Sequence, residues 1–332
     1  MKYLLILCFL LSFTSIHAQS DYYIIGDDAS VNLNFSDNPN GDKGILFEAK
    51  PIVRYKLHNN IEDRLKDPTY RTLSSSYLLF SPHLRMYNEN SEPVKMPSYR
   101  VAFGYQKAWK LKKKNPNYKG LIAFAGEHGH YSNGQSGCAF SNLYEDDSAP
   151  CNTIYNTINN NQNINLSSLL NRSNGHFQTN YTSLFLNYRT FKLKDRDSAF
   201  YHKSHSVNFK YTLFHRNVFL FVNYGGYSQN DIQIYGRHRF NIDYSYSCYG
   251  PKKTVLKFSQ QLGFIVGAHK SVTNYRSVTS LTFYPLPKHV NLGFKAAYVF
   301  GHDDYNIRFV DNVSQVTISA VFSPFGLFSM NN

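Results

Sequence analysis

The residues best equipped for chemistry stand together in Gly129-His130-Tyr131-Ser132-Asn133-Gly134-Gln135. A serine hydroxyl attacks an acyl carbon only when a neighbouring base takes its proton, and the base must be held in one tautomer by a third group. In an extended chain, residues two apart share a face, so His130 and Ser132 are expected to point the same way at hydrogen-bonding separation. The same parity joins them to Ile122, Phe124 and His128, and sets Ala123, Ala125, Glu127 and Gly129 on the opposite face. Asn180 is the candidate third group. It opens the next extended segment, and its parity mates Leu184 and Leu186 repeat the apolar face. Its carbonyl oxygen can accept the imidazole N–H, although a neutral amide adds no charge to balance an imidazolium. A His-x-Ser pair alone reads first as polar surface. The Asn-Gly that follows it, together with Asn180, turns the reading toward acyl-ester hydrolysis.

The elements that must position these groups are strands. Alternating or β-branched and aromatic segments, bounded by polar, Gly- or Pro-containing connections, recur along the chain, and helix-period runs are missing. The pattern predicts about twelve strands: Asp21–Gly26, Gly44–Leu57, Ser74–Tyr87, Tyr99–Lys110, Gly120–Tyr131, Asn180–Lys192, Ser206–His215, Ile232–Cys248, Thr254–Ala268, Ser277–Leu286, Val290–Gly301 and Ser314–Phe328. Connections alternate between tight ones, such as Leu286-Pro287-Lys288-His289, and long ones. The longest is polar, Asn-rich and spans about 133–178. This is the asymmetry of a transmembrane, antiparallel, up-and-down β-barrel with short periplasmic turns and long outer loops. The apolar face then meets lipid, and the His130–Ser132 pair lies on it near the outer interface.

Composition agrees with export to such a place. Residues 1–18 read as a cleavable secretory signal, with Lys2 before an apolar run and a small-residue ending at Ile16-His17-Ala18. The mature chain, one barrel domain over 19–332, is expected to start near Gln19. Mean hydropathy is −0.42, which a barrel reaches by alternating lipid-facing and lumen-facing side chains. The 27 Tyr and 26 Phe against one Trp suit strands and interfacial girdles. A net charge of +13 would suit nucleic acid, but export excludes that partner and the basic residues sit in short connections such as Lys110-Leu111-Lys112-Lys113-Lys114. Anionic headgroups are the simpler partner. Of the cysteines remaining after cleavage, Cys138 and Cys151 fall in one outer loop and Cys248 at a periplasmic turn. Only the first two can reach each other, so a Cys138–Cys151 disulfide is expected.

The fragment HYSNGQS also resembles the His-x-Ser-Asn-Gly signature of the outer-membrane phospholipases A, and three further stretches resemble the same family: DYYIIGDDASVN, SEPVKMPSY and YPLPKHVNLGFKAAYVFGHDDYNIRF. The resemblance implies a twelve-stranded barrel that deacylates glycerophospholipids, with Ser132 as nucleophile, His130 as base and Asn180 as its orienting partner. It further implies that the Gly134 N–H joins an oxyanion hole, that calcium is held partly by the backbone carbonyls of Ser91 and Gln135, and that two copies form a reversible homodimer. Two departures from the pattern stand out. Gln135 replaces the usual Arg, and the loop between Gln135 and Asn180 carries an insertion with both cysteines, leaving the acidic run Glu145-Asp146-Asp147 as the other candidate cation site. Two alternatives remain. A lipid A 3-O-deacylase shares a His-x-Ser-Asn motif but has eight strands and a Glu in its triad, and a porin or structural barrel would carry the motif incidentally.

Overall fold

The computed structural model describes residues 23–35, 45–87, 94, 96–111, 118–193, 201–218, 222–250, 254–285 and 292–322. The segment 1–18 read as a signal, and Ser91, therefore lie outside the described residues. The main strands are β1 (Ala29–Phe35), β2 (Ile45–Lys50), β3 (Val53–Asn59), β4 (Thr72–Tyr87), β5 (Ser98–Leu111), β6 (Tyr118–Ser132), β7 (Gln178–Leu193) and β8 (Tyr201–His215). A small hairpin of β9 (Asn217–Val218) and β10 (Val222–Asn223) follows, and then β11 (Gly236–Tyr249), β12 (Val255–Ala268), β13 (Tyr275–Tyr284), β14 (Leu292–His302) and β15 (Asn312–Phe322). Each main strand pairs antiparallel with its neighbour in the chain, and β1 closes the ring on β15, with Ala29 opposite Phe322. Both β2 and β3 pair with β4. They are one barrel strand interrupted at Pro51, which has no N–H to give the ladder, so the closed barrel has twelve strands.

The alternation read from the sequence sets the two faces. Phe124, Leu184 and Leu186 are exposed on the outside, whereas Ala123, Ala125 and Phe185 are buried within. The inside is filled by side chains rather than water-wide. Tyr77 donates to Glu127 at 2.8 Å, Arg85 bridges Glu48 and Asp303 at 2.6 Å each, and Arg54 lies over the rings of Tyr23 and Tyr77.

Three expectations are corrected. The first predicted strand, Asp21–Gly26, is no strand where described: Tyr23, Ile24 and Ile25 are buried in the lumen, and the N–H groups of Ile24 and Ile25 donate to the Gln106 side chain at 2.8 and 3.2 Å. The first barrel strand follows it at Ala29. The strand predicted from Ile232 begins only at Gly236, because Gln229–Tyr235 is a helix capped by Ser228 and Asp231 in a reciprocal box. The expectation that helix-period runs are missing fails within the long loop, where Ala149–Asn160 is a helix with Pro150 in its first turn and Ser148 as cap.

At the loop-bearing rim these segments form a lid whose apolar residues run into the barrel interior as one core. Phe177 sits at its centre, with ring contacts to Tyr131, Tyr227, Tyr235 and Phe309 at 5.2–6.2 Å. The Cys138–Cys151 disulfide is present and fully buried here. Cys248 is unpaired at the far end of β11, as the topology required.

Candidate functional site

The site lies on the outer face where β6 and β7 reach the loop-bearing rim. Register puts His130 directly opposite Asn180. Their side chains meet, with His130 Nδ1 and Asn180 Oδ1 at 2.9 Å. Which amide atom faces the ring is fixed from behind, because Asn180 Nδ2 donates to the carbonyls of Arg216 and Tyr224 at 3.0 and 2.9 Å. The oxygen must therefore accept from the ring, Nδ1 carries the proton, and Nε2 is left with its lone pair as a base requires. Arg216 and Tyr224 flank the β9–β10 hairpin, and no sequence signal links positions 36 and 44 residues beyond Asn180 to it.

Ser132 shares this outward face at the end of β6. Its hydroxyl makes no hydrogen bond among the described residues, so the expected Ser132–His130 bond is not formed. The reason is strand geometry: same-face neighbours are about 6.6 Å apart at Cα, and a short serine side chain closes that gap only when both side chains lean together.

Beyond Ser132 the chain makes a tight turn. Asn133 is buried and is the residue whose importance the sequence reading underweighted: its Oδ1 accepts the N–H of Gln135 at 3.2 Å and of Phe177 at 3.0 Å, and its Nδ2 donates to Gly175 O at 2.7 Å. The Asn-Gly pair was the signal for it. Gly134 follows with φ +66°, in the left-handed region, and a Cβ built there would meet nothing within 4 Å. Its N–H donates to no group among the described residues, so it is free for a developing oxyanion.

Among the described residues, the candidate cation ligands Gln135 and Asp146 stand on opposite sides of the His176 ring. The Gln135 carbonyl accepts the Nδ1–H of His176 at 2.5 Å. Asp146 approaches the other side of that ring, Oδ2 to Nε2 at 3.7 Å. Burial raises the Asp146 carboxyl above its usual range, with the His176 ring opposing the shift. No group of three His, Cys, Asp or Glu among the described residues could hold a metal.

A closed twelve-strand barrel with an apolar outer wall defines an outer-membrane β-barrel protein. Its fold is shared with outer membrane phospholipase A. An active-site mutant of that enzyme from Escherichia coli superposes with a TM-score of 0.50 at 10% identity, covering 93% of each chain. The Salmonella typhi outer membrane phospholipase, solved as a dimer with bound calcium, matches at 0.47 and 9% identity over 90% of this chain and 91% of that one. A FadL homologue of Pseudomonas aeruginosa matches at 0.30 and 10% identity over 90% of this chain and 76% of that one. No protein-family model matches the sequence, and no curated protein matches it significantly.

Proposed function

We propose that the protein is a phospholipase of the A1/A2 type, hydrolysing acyl esters of glycerophospholipids at the outer leaflet with Ser132 as nucleophile, His130 as base and Asn180 as the group that orients it. The observation that carries the reading is the His130–Asn180 bond, with the ring's tautomer set by two backbone carbonyls, on a lipid-facing surface where an ester would arrive. In the reaction the hydroxyl of Ser132 attacks the acyl carbon as Nε2 of His130 takes its proton. The Gly134 N–H meets the oxyanion, and the imidazolium then protonates the leaving alcohol. Water deacylates the serine by the same steps.

Two parts of the sequence resemblance enter differently. A reversible homodimer stays in the proposal, two copies meeting along their apolar outer walls. Calcium finds no cluster of three His, Cys, Asp or Glu ligands among the described residues, and the Gln135 carbonyl accepts a hydrogen bond from His176, so no step is routed through it. The porin alternative is disfavoured by the filled lumen, and the deacylase alternative by twelve strands and Asn180 in place of Glu.

The test is mass spectrometry of products after the refolded protein meets phosphatidylethanolamine and, separately, lipid A. Free fatty acid and lysophospholipid are expected from the first. Ser132→Ala should remain folded and lose at least about 10³-fold in rate. Undiminished hydrolysis in that variant rejects the assignment, and release of a hydroxyacyl chain from lipid A alone transfers it to the deacylase.

A further inference from the structure

Around the turn that follows Ser132, every flank is tied to something. Asn133 N donates to Phe177 O at 3.0 Å, Gly137 N to Asn174 O at 3.0 Å and His176 N to Gly137 O at 2.6 Å, which zips 133–137 onto 174–177. From the other side Asp146 N donates to Ser136 O at 2.8 Å and Cys138 N to Tyr144 O at 2.8 Å. The disulfide to Cys151 fixes the base of that second strap. Between the straps sits the His176 ring, with Nδ1–H on the Gln135 carbonyl and Nε2 facing Asp146. The Gln135 carbonyl thus points at a hydrogen-bond donor that its own chain supplies.

The consequence concerns Gly134. Its N–H belongs to the Asn133–Gly134 peptide, two peptide units before the one that carries the Gln135 carbonyl, so rotation about the backbone bonds of Gly134 and Gln135 would swing that donor off any oxyanion. A cation bound by the Gln135 carbonyl could stop that rotation. So can a donor held at both ends.

We infer that His176, braced by Asp146 and the disulfide-anchored loop, is a positioning residue that holds the Gly134–Gln135 turn in place of a divalent cation, so that hydrolysis by this chain needs no calcium. The inference rests on the phospholipase reading, and it names how that site is assembled. His176 touches neither substrate nor reacting atoms; it acts through the Gln135 carbonyl.

The experiment measures kcat and KM for phosphatidylethanolamine in mixed micelles, and the thermal midpoint, for the refolded full-length protein in calcium and in EDTA. Wild type is expected to give the same rate and the same midpoint in both. His176→Ala should lose on the order of 10²-fold in kcat, the cost of a misplaced oxyanion donor, with KM little changed. His176→Asn, whose Nδ2–H can stand where Nδ1–H stands, should recover most of the rate; an altered packing alone would not be rescued by this smaller side chain. Wild-type hydrolysis abolished by EDTA and restored by calcium overturns the inference and leaves the phospholipase reading intact, as does full kcat in His176→Ala. No hydrolysis by wild type in either condition removes the phospholipase reading and the inference with it.

Discussion

Asn180 is a neutral residue where an acid would give the imidazolium a counter-charge, and its surroundings explain the choice. Its Nδ2 faces two carbonyl oxygens, of Arg216 and Tyr224. A carboxylate there would set a charged oxygen against both, with no hydrogen to share. Asn180→Asp is therefore expected to fail as a gain of charge: kcat below wild type and a lower thermal midpoint, because an unpaired acceptor is left against acceptors. Asn180→Ala should lose about 10²-fold in kcat, the scale of a misaligned catalytic group, and less than Ser132→Ala. Steady-state kinetics and melting of the two variants check this, and an Asn180→Asp protein as active and stable as wild type would mean the carbonyls do not set the amide. The same scale shows a limit of sequence parity. It assigned Ser132, His130 and Asn180 to one face, but facing the same way is not touching. The Ser132 hydroxyl is unbonded because the strand's rise separates it from the ring.

Among the elements, the lid over the rim departs furthest from what periodicity announces. Its helices, Ala149–Asn160 and Gln229–Tyr235, are short and flanked by caps, and their apolar residues face the Phe177 cluster rather than a sheet. The disulfide closes a separation of 13 residues, for which loop entropy predicts about 3 kcal/mol of stabilisation. Peptide mapping without reduction should recover Cys138 joined to Cys151, and Cys151→Ser should speed limited proteolysis within 139–177; an unchanged rate would mean the loop is held without the bond. The cap of the second helix adds a pH dependence. Burial raises the Asp231 carboxyl to about 6 from 3.8, against the hydrogen bonds from Ser228. A raised folded-state value means the native protein holds the proton longer than the unfolded chain does. Stability contributed by the protonated form is present below about 4 and is lost as pH rises through about 6. Unfolding free energies from denaturant titrations at pH 4 to 7 should fall more in wild type than in Asp231→Asn, by an amount on the order of 2–3 kcal/mol; parallel curves would show that Asp231 titrates normally.

For the molecule as a whole, the decisive property is a lumen occupied by side chains of the described residues. The lumen holds the buried Arg85, Glu48 and Asp303 network, the Tyr77–Glu127 pair and the Tyr23–Ile25 segment folded into it, beneath the apolar lid. In planar bilayers the refolded protein is expected to show no steady ion conductance. Channel-like steps of porin size would favour a transport role over the enzymatic one.

What the sequence determined by itself follows from local rules. Period-two alternation identified the strands and their lipid-facing sides, turn residues marked most boundaries, and the spacing of His130, Ser132 and Asn180 placed them at one edge, because these depend only on neighbours a few residues apart. The pairing of Cys138 with Cys151 was equally legible once the strands were counted. The tertiary structure alone decided the rest. It alone could show that Tyr23–Ile25 fills the lumen instead of starting the barrel, because that depends on Gln106 about eighty positions away. It alone could turn the Asn180 amide, through carbonyls on a hairpin beyond β8. And it alone could bring His176 to the Gln135 carbonyl, since a contact across 41 residues of looped chain leaves no periodicity behind and is fixed only when the lid packs onto the barrel interior.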